Sequence, residues 1–212
     1  MIFAAGLEDY LRSIIPEPDP ILAEMVAHGE REDVPIVYPE TGLLLEVLVA
    51  LIGARRAVEV GTAIGVSTLH IARALREGGR LISFEVDAGR HQAARGYLDR
   101  AGLSDRVDLR LQDGAEGLAA LEGPFDFAFL DAFKGDYPRH LSLVMPLLRP
   151  GGAVAIDNVL LSGAVATGAG PSGWSHEDVL RMRAFNADLL ADHALTATVL
   201  SVGDGVAVAV RR

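Results

Sequence analysis

From residue 57 onward the chain alternates short apolar runs with longer amphipathic stretches. The runs at 57–60, 80–85, 107–112, 125–130 and 153–156 are nearly continuous in apolar residues, which is the pattern of strands buried on both faces. Between them, 67–76, 88–100, 115–121 and 137–148 carry helical spacing and stop at Gly78-Gly79, Gly102, Gly123 and Gly151-Gly152. Regular strand–helix alternation predicts a parallel sheet with helices on both faces. The end differs: 195–202 and 206–211 flank Gly203-Asp204-Gly205, a connection too tight for a parallel crossover, so the sheet finishes in an antiparallel hairpin. Upstream, 7–14 and 21–30 read as helices broken by Pro16, Pro18 and Pro20. The segment 34–39 is extended, because a residue before proline avoids the helical region. Residues 41–52 are apolar on nearly all sides, which predicts a buried helix ended by Gly53. The expected organisation is one α/β domain, with 1–35 a helical appendage and 36–212 the core. The appendage is read as a packing helix, a lid or a subunit contact.

Composition removes several classes of function. Net charge is −10 and the pI is near 5.0, which gives no electrostatic affinity for nucleic acid or an anionic membrane. There is no cysteine, so any metal must be held by oxygen or imidazole. Mean hydropathy is positive, yet the most apolar segment, 43–52, is too short to span a bilayer and contains Glu46. The first residues lack a basic region before their apolar run, so no signal peptide is read there and a cytoplasmic location is expected.

The chemistry gathers at the strand ends. In an open α/β sheet the ligand crevice lies beyond the carboxyl ends of the strands. Here those positions are Gly61, Glu85, Asp113, Asp131 and the pair Asp157-Asn158. The first turn reads Glu59-Val60-Gly61-Thr62-Ala63-Ile64-Gly65-Val66-Ser67, with spacing G-x-x-x-G rather than G-x-G-x-x-G. Its glycines admit close backbone approach, while Glu59 would oppose a pyrophosphate and suits a cationic nucleoside. Glu85, one βα unit later, is placed to accept hydrogen bonds from ribose hydroxyls. Asp131, Asp157 and Asn158 offer two carboxylates and an amide oxygen, a hard set suited to Mg²⁺ or Mn²⁺. For consecutive residues 157 and 158 both to ligate, the chain must already have left the strand; the plainer alternative is an Asx turn. Lys134 is a candidate general base, since a neighbouring dication and a dry pocket both disfavour an ammonium; the alternative is an ion pair with Asp131 or Asp136. The six histidines are scattered without metal spacing and are assigned to surface or helix-face roles. The stretch 163–173 is rich in glycine and alanine and reads as a mobile loop, with Trp174 after it as a pocket wall or subunit contact.

On these motifs, together with Asp131-Ala132-x-Lys134-x-x-Tyr137 and Gly203-Asp204-Gly205, the chain from about residue 35 onward resembles the cation-dependent O-methyltransferases that use S-adenosylmethionine, of the catechol and caffeoyl-coenzyme A kind. The resemblance implies a Rossmann-like class I methyltransferase fold with a seven-stranded sheet whose last strand is antiparallel, and a homodimer. It implies that Glu59, Gly61, Thr62, Gly65 and Ser67 line the methionine side of the cofactor, that Glu85 holds the ribose, and that Asp113, Gly114 and Ala115 take the adenine side. It further implies that Asp131, Asp157 and Asn158 bind the metal, with Asp131 also edging the cofactor and serving catalysis beside the base, Lys134. The expected acceptor is a small phenolic, catechol-like vicinal diol. Position 133 is Phe where the plant caffeoyl-coenzyme A type carries an acid. Two other readings stand beside this one: a metal-independent methyltransferase on the same fold, and a non-catalytic protein that binds S-adenosylmethionine.

Overall fold

The computed structural model describes residues 6–168 and 173–212. Three helices come first: α1 (Leu7–Ser13), α2 (Pro20–Glu32) and α3 (Pro39–Leu51). The alternating core follows as β1 (Arg56–Val60), α4 (Val66–Ala74), β2 (Arg80–Glu85), α5 (Ala88–Arg100), β3 (Val107–Leu111), α6 (Gly114–Ala119), β4 (Phe125–Leu130), α7 (Tyr137–Val144) and β5 (Leu148–Ile156). The chain closes with α8 (Ala164–Thr167), α9 (His176–Ala191), β6 (Leu195–Leu200) and β7 (Val206–Arg211). The strands form one seven-stranded sheet in the order β3-β2-β1-β4-β5-β7-β6. Pairing is parallel from β3 through β5, and β7 runs antiparallel to both β5 and β6.

Period-two alternation assigns each strand residue to one of two cores. On β4, Phe127 and Phe129 face Leu45, Val49 and Leu69 of α3 and α4. Ala128 and Leu130 face the other layer, with Tyr137 and Val144 of α7 and Val179, Met182, Phe185 and Leu189 of α9. Both faces are therefore covered, as uninterrupted apolar strands require.

Several elements depart from the sequence reading. Helix α3 is not covered all round: Val47 is 60% and Leu51 79% exposed, because only one side of it packs on α4 and the sheet. Strand β5 starts five residues early, at Leu148 rather than 153, and absorbs Gly151-Gly152 through a register shift opposite Phe125 and Phe127. The helix expected over 137–148 ends at Val144 and tightens into a 3-10 turn, Met145–Leu147, where Pro146 interrupts it. The glycine-rich stretch opens with helical turns, Leu161–Gly163 and α8, and its residues 169–172 lie outside the described residues, as do residues 1–5 of the segment considered for a signal peptide. Trp174 is half-buried against the α7–α9 core. Helix α9 has no counterpart in the sequence reading. Its signal was present: Ser175 caps the N-terminus and Asp178 returns the hydrogen bond, a capping box three residues apart.

Candidate active site

Above the carboxyl ends of β2, β1, β4 and β5 lies a cleft of about 340 Å³. Its floor is the β1–α4 turn, which is shaped by three left-handed residues: Gly61 (φ 98°), Ala63 (φ 48°) and Gly65 (φ 94°). Gly61 is where only glycine fits, because a Cβ there would lie 1.9 Å from the backbone oxygen of Asp131. Ala63, without that freedom, is fastened by Glu85, whose Oε2 accepts its N–H at 2.7 Å. The other Glu85 oxygen accepts from the N–H groups of Val86 and Asp87, both at 2.9 Å. The carboxylate is thus fixed at the cleft wall, with one lone-pair site on Oε2 left for a ligand.

Of the residues chosen from sequence, Gly61, Thr62, Ser67, Glu85, Asp113, Gly114, Asp131, Lys134, Asp157 and Asn158 line this cleft. Glu59, Gly65 and Ala115 do not; they stand behind its wall. Glu59 is wholly buried, and its Oε2 accepts hydrogen bonds from Thr68 Oγ1 at 2.5 Å and Ser83 Oγ at 2.6 Å. Ser83 Oγ lies in turn 2.5 Å from Thr62 Oγ1. Ser67 approaches the same carboxyl, but Glu59 Oε1 is left without a partner among the described residues. Burial, the largest cause, pushes the Glu59 carboxyl from its ordinary 4.5 up to about 7, against the three neighbouring hydroxyls that lower it.

That shift has a sign. An unfolded glutamate ionises near 4.5 while the folded one stays protonated to about 7, so stability falls as pH rises through this window and is flat above it. Glu59→Gln removes the slope. Relative to the wild type, the variant gains about 3 kcal/mol between pH 4 and pH 8, following the shift at roughly 1.4 kcal/mol per unit. Denaturant unfolding at both pH values measures it, and parallel pH profiles for the two proteins would contradict it.

The opposite wall carries Asp131, Lys134, Asp157 and Asn158. Asp131 donates its N–H to Val60 O at 2.9 Å and Asp157 donates to Leu130 O at 3.1 Å, so each extends a parallel ladder by one residue and the two ends stand side by side. Asp157 is 1% exposed, and burial, followed by the charge of Asp131, raises its carboxyl to about 7. Its backbone oxygen accepts from Tyr137 Oη at 2.9 Å, anchoring the strand end to α7. Asn158 turns left-handed, φ 57°, so the chain has left the strand there, as joint use of 157 and 158 demands. Lys134 Nζ bonds Asp131 Oδ1 at 2.9 Å and sits 5.6 Å from the Tyr137 ring centre. Among the described residues no three His, Cys, Asp or Glu side chains group to hold a metal. The set here is two acids and an amide, all hard oxygens. Asp157, buried and with its ionisation opposed by the charge of Asp131 beside it, suits a divalent cation which keeps further positions for water or substrate.

Other residues of the wall were not chosen from sequence, among them Tyr38, Phe133 and His140. Phe133, 71% exposed, and Tyr38, 43% exposed, present aromatic surface at the cleft. His140, assigned to a surface or helix-face role, is buried in the wall on the inward face of α7.

A mostly parallel seven-stranded sheet in this order, with an antiparallel β7 and a cleft over its carboxyl edge, is the frame of a class I methyltransferase. The chain belongs to the O-methyltransferase family, whose model matches residues 15–212. It is 37% identical over 183 residues to the "Catechol O-methyltransferase" of Niastella koreensis, covering 82% of this chain and 81% of that protein. It is 31% identical over 209 residues to "Probable caffeoyl-CoA O-methyltransferase 1" of Dictyostelium discoideum, covering 96% and 88%. Among solved structures, the O-methyltransferase from Bacillus cereus, in complex with SAH, superposes with a TM-score of 0.84 at 30% identity, covering 98% of this chain and 97% of that one.

Proposed function

We propose that this enzyme transfers a methyl group from S-adenosylmethionine to one hydroxyl of a small, catechol-like vicinal diol, with a divalent cation bound by Asp131, Asp157 and Asn158. The observation that carries the reading is the Asp131–Asp157–Asn158 wall, with Lys134 Nζ 2.9 Å from Asp131, facing the Gly61–Ser67 turn across one cleft. Gly61, Thr62 and Ser67 receive the methionine part of the donor, Glu85 the ribose, and the Asp113–Gly114 end the adenine. Glu59 acts from behind the turn, as a buried acid beneath the cationic part of the donor, rather than by direct contact. A bound Mg²⁺ or Mn²⁺ supplies Lewis acidity to a chelated hydroxyl. Lys134 releases Asp131 and gives one proton to water, and as the free amine it then takes the hydroxyl proton on Nζ. The oxygen then bonds to the methyl carbon as the carbon–sulfur bond breaks, giving a methyl ether and S-adenosylhomocysteine, and the proton leaves from Lys134 to water. Tyr38 and Phe133 supply ring faces for a flat acceptor.

Transfer of labelled methyl to 3,4-dihydroxy aromatic acceptors, with and without EDTA, tests this. We expect transfer that EDTA abolishes and Mg²⁺ restores. The ion pair between Lys134 and Asp131 favours a second reading, in which the ammonium takes the cation's place and transfer survives EDTA. No transfer to any vicinal diol, with donor bound, would rule out both. A homodimer formed through the exposed Val47 and Leu51 face of α3 is part of the proposal, and sedimentation equilibrium of Leu51→Lys against the wild type tests it.

A further inference from the structure

Among the histidines, His140 differs from the rest in how its ring is treated. His28 Nδ1 meets Tyr97 Oη at 2.9 Å, His70 Nδ1 meets Glu46 Oε1 at 2.7 Å, and His91 Nε2 meets Leu109 O at 3.3 Å. His176 and His193 are exposed to water. His140 is 3% exposed, and its Nδ1 is buried with no partner among the described residues. A buried ring nitrogen left unpaired is costly, and it calls for a reason. The ring also lines the cleft.

Its place in the fold narrows the reason. Tyr137, His140 and Val144 are the inward residues of α7, so the ring enters the wall from below, one turn along from the Tyr137 that anchors Asp157. The charged groups that act on it are Asp136 and Asp113, besides Arg139 on its own helix. His140 thus belongs to the Asp113 end of the cleft, beyond the ribose-binding Glu85. Burial, the largest influence, lowers its proton affinity, so the ring is neutral at neutral pH and carries one N–H and one lone pair. A buried N–H without an acceptor is rarer and costlier than a lone pair without a donor. The proton therefore belongs on Nε2, which makes that nitrogen a donor, while the unpartnered Nδ1 carries the lone pair.

We propose that His140 reads the base of the methyl donor, donating from Nε2 to N1 on the edge of adenine farthest from the ribose. This rests on the proposed seat of the ribose at Glu85, with the base running past Asp113 toward α7. It assigns His140 a task beyond holding the fold: selecting adenine over a deaminated base. Hypoxanthine carries N1–H where adenine has a lone pair, so two donors would meet. Moving the imidazole proton to Nδ1 would relieve that clash only by leaving a buried N–H unpaired.

Calorimetric titration of the purified protein with S-adenosylhomocysteine and with S-inosylhomocysteine tests this without any turnover. We expect the wild type to bind the adenosyl compound at least about tenfold more tightly, the size of one hydrogen bond set against one unpaired donor. His140→Phe, and the smaller His140→Ala, are expected to lose about tenfold toward the adenosyl compound and less than about twofold toward the inosyl one, so the preference collapses. A purely structural role would weaken both ligands alike, and an unchanged ratio would overturn the proposal. Equal binding of the two compounds by the wild type would overturn it without reference to any variant. Failure of the wild type to bind S-adenosylhomocysteine at all would instead overturn the cofactor reading beneath it.

Discussion

Replacing Lys134 with methionine lowers kcat by about a hundredfold to ten-thousandfold, the range a positioned general base contributes. Methionine keeps much of the unbranched lysine stem, while the amine and its contact over the Tyr137 ring are lost. Affinity for S-adenosylhomocysteine is expected to stay within about twofold, since Lys134 stands on the wall opposite the glycine turn and a group acting only on the acceptor proton contributes nothing to donor binding. Divalent-cation affinity is expected to rise, because Nζ no longer competes for Asp131 Oδ1, which it holds at 2.9 Å. Steady-state kinetics with saturating Mg²⁺ and a separate metal titration separate these effects. An undiminished kcat would remove Lys134 from the chemistry, and weakened cation binding would make it a structural prop of Asp131.

Gly61→Ala has the second large effect, and it reaches both walls of the cleft. The new methyl group would stand 1.9 Å from Asp131 O, and φ 98° is a conformation that alanine does not tolerate. Neither neighbour can yield easily: Gly61 N is bonded to Phe84 O at 3.0 Å, and Asp131 N to Val60 O at 2.9 Å. We expect a loss of about 3–5 kcal/mol, the range of a severe backbone clash, which lowers the thermal midpoint by about 10 °C in a chain of this size. Because the clash partner is the backbone of Asp131, metal affinity should fall together with donor affinity. A variant that melted within about 2 °C of the wild type would show that the turn is softer than its contacts imply.

The sheet was legible because its strands are nearly uninterrupted apolar runs closed by glycine, and the rim was legible because a parallel sheet sends every carboxyl end to one edge. Glu85, Asp113, Asp131 and Asp157 all follow from that single rule. Glu59 was misjudged for a reason internal to the strand. It alternates with Val58 and Val60, so its side chain shares the α3–α4 side with Ala57 and meets Thr68 rather than the crevice. His140 was missed because a lone histidine among polar neighbours carries no spacing signal. The inward face of α7 that it shares with Tyr137 and Val144 could have located it. Helix α9 was hidden by its charged composition, although Val179, Met182, Phe185 and Leu189 mark a buried stripe. No sequence pattern tells that Lys134 rests on Asp131, since the competing partner, Asp136, lies nearer still along the chain.

The position of β7 has a consequence for biosynthesis. The strand made after β6, Val206–Arg211, inserts between β5 and β6 rather than adding to an edge. The turn before it also grips the loop that follows Asn158: Asp204 O accepts the N–H of Leu160 at 3.1 Å, and its carboxylate accepts that of Ser162. Until those residues emerge from the ribosome, β5 presents an open strand edge, and the segment beyond Asp157 lacks its clasp. A nascent chain can therefore bury most of its core and form the Gly61–Ser67 turn before the wall bearing the acidic pair has its support. The Asp131–Asp157 wall gains its clasp after the glycine turn opposite, from residues that do not line the cleft.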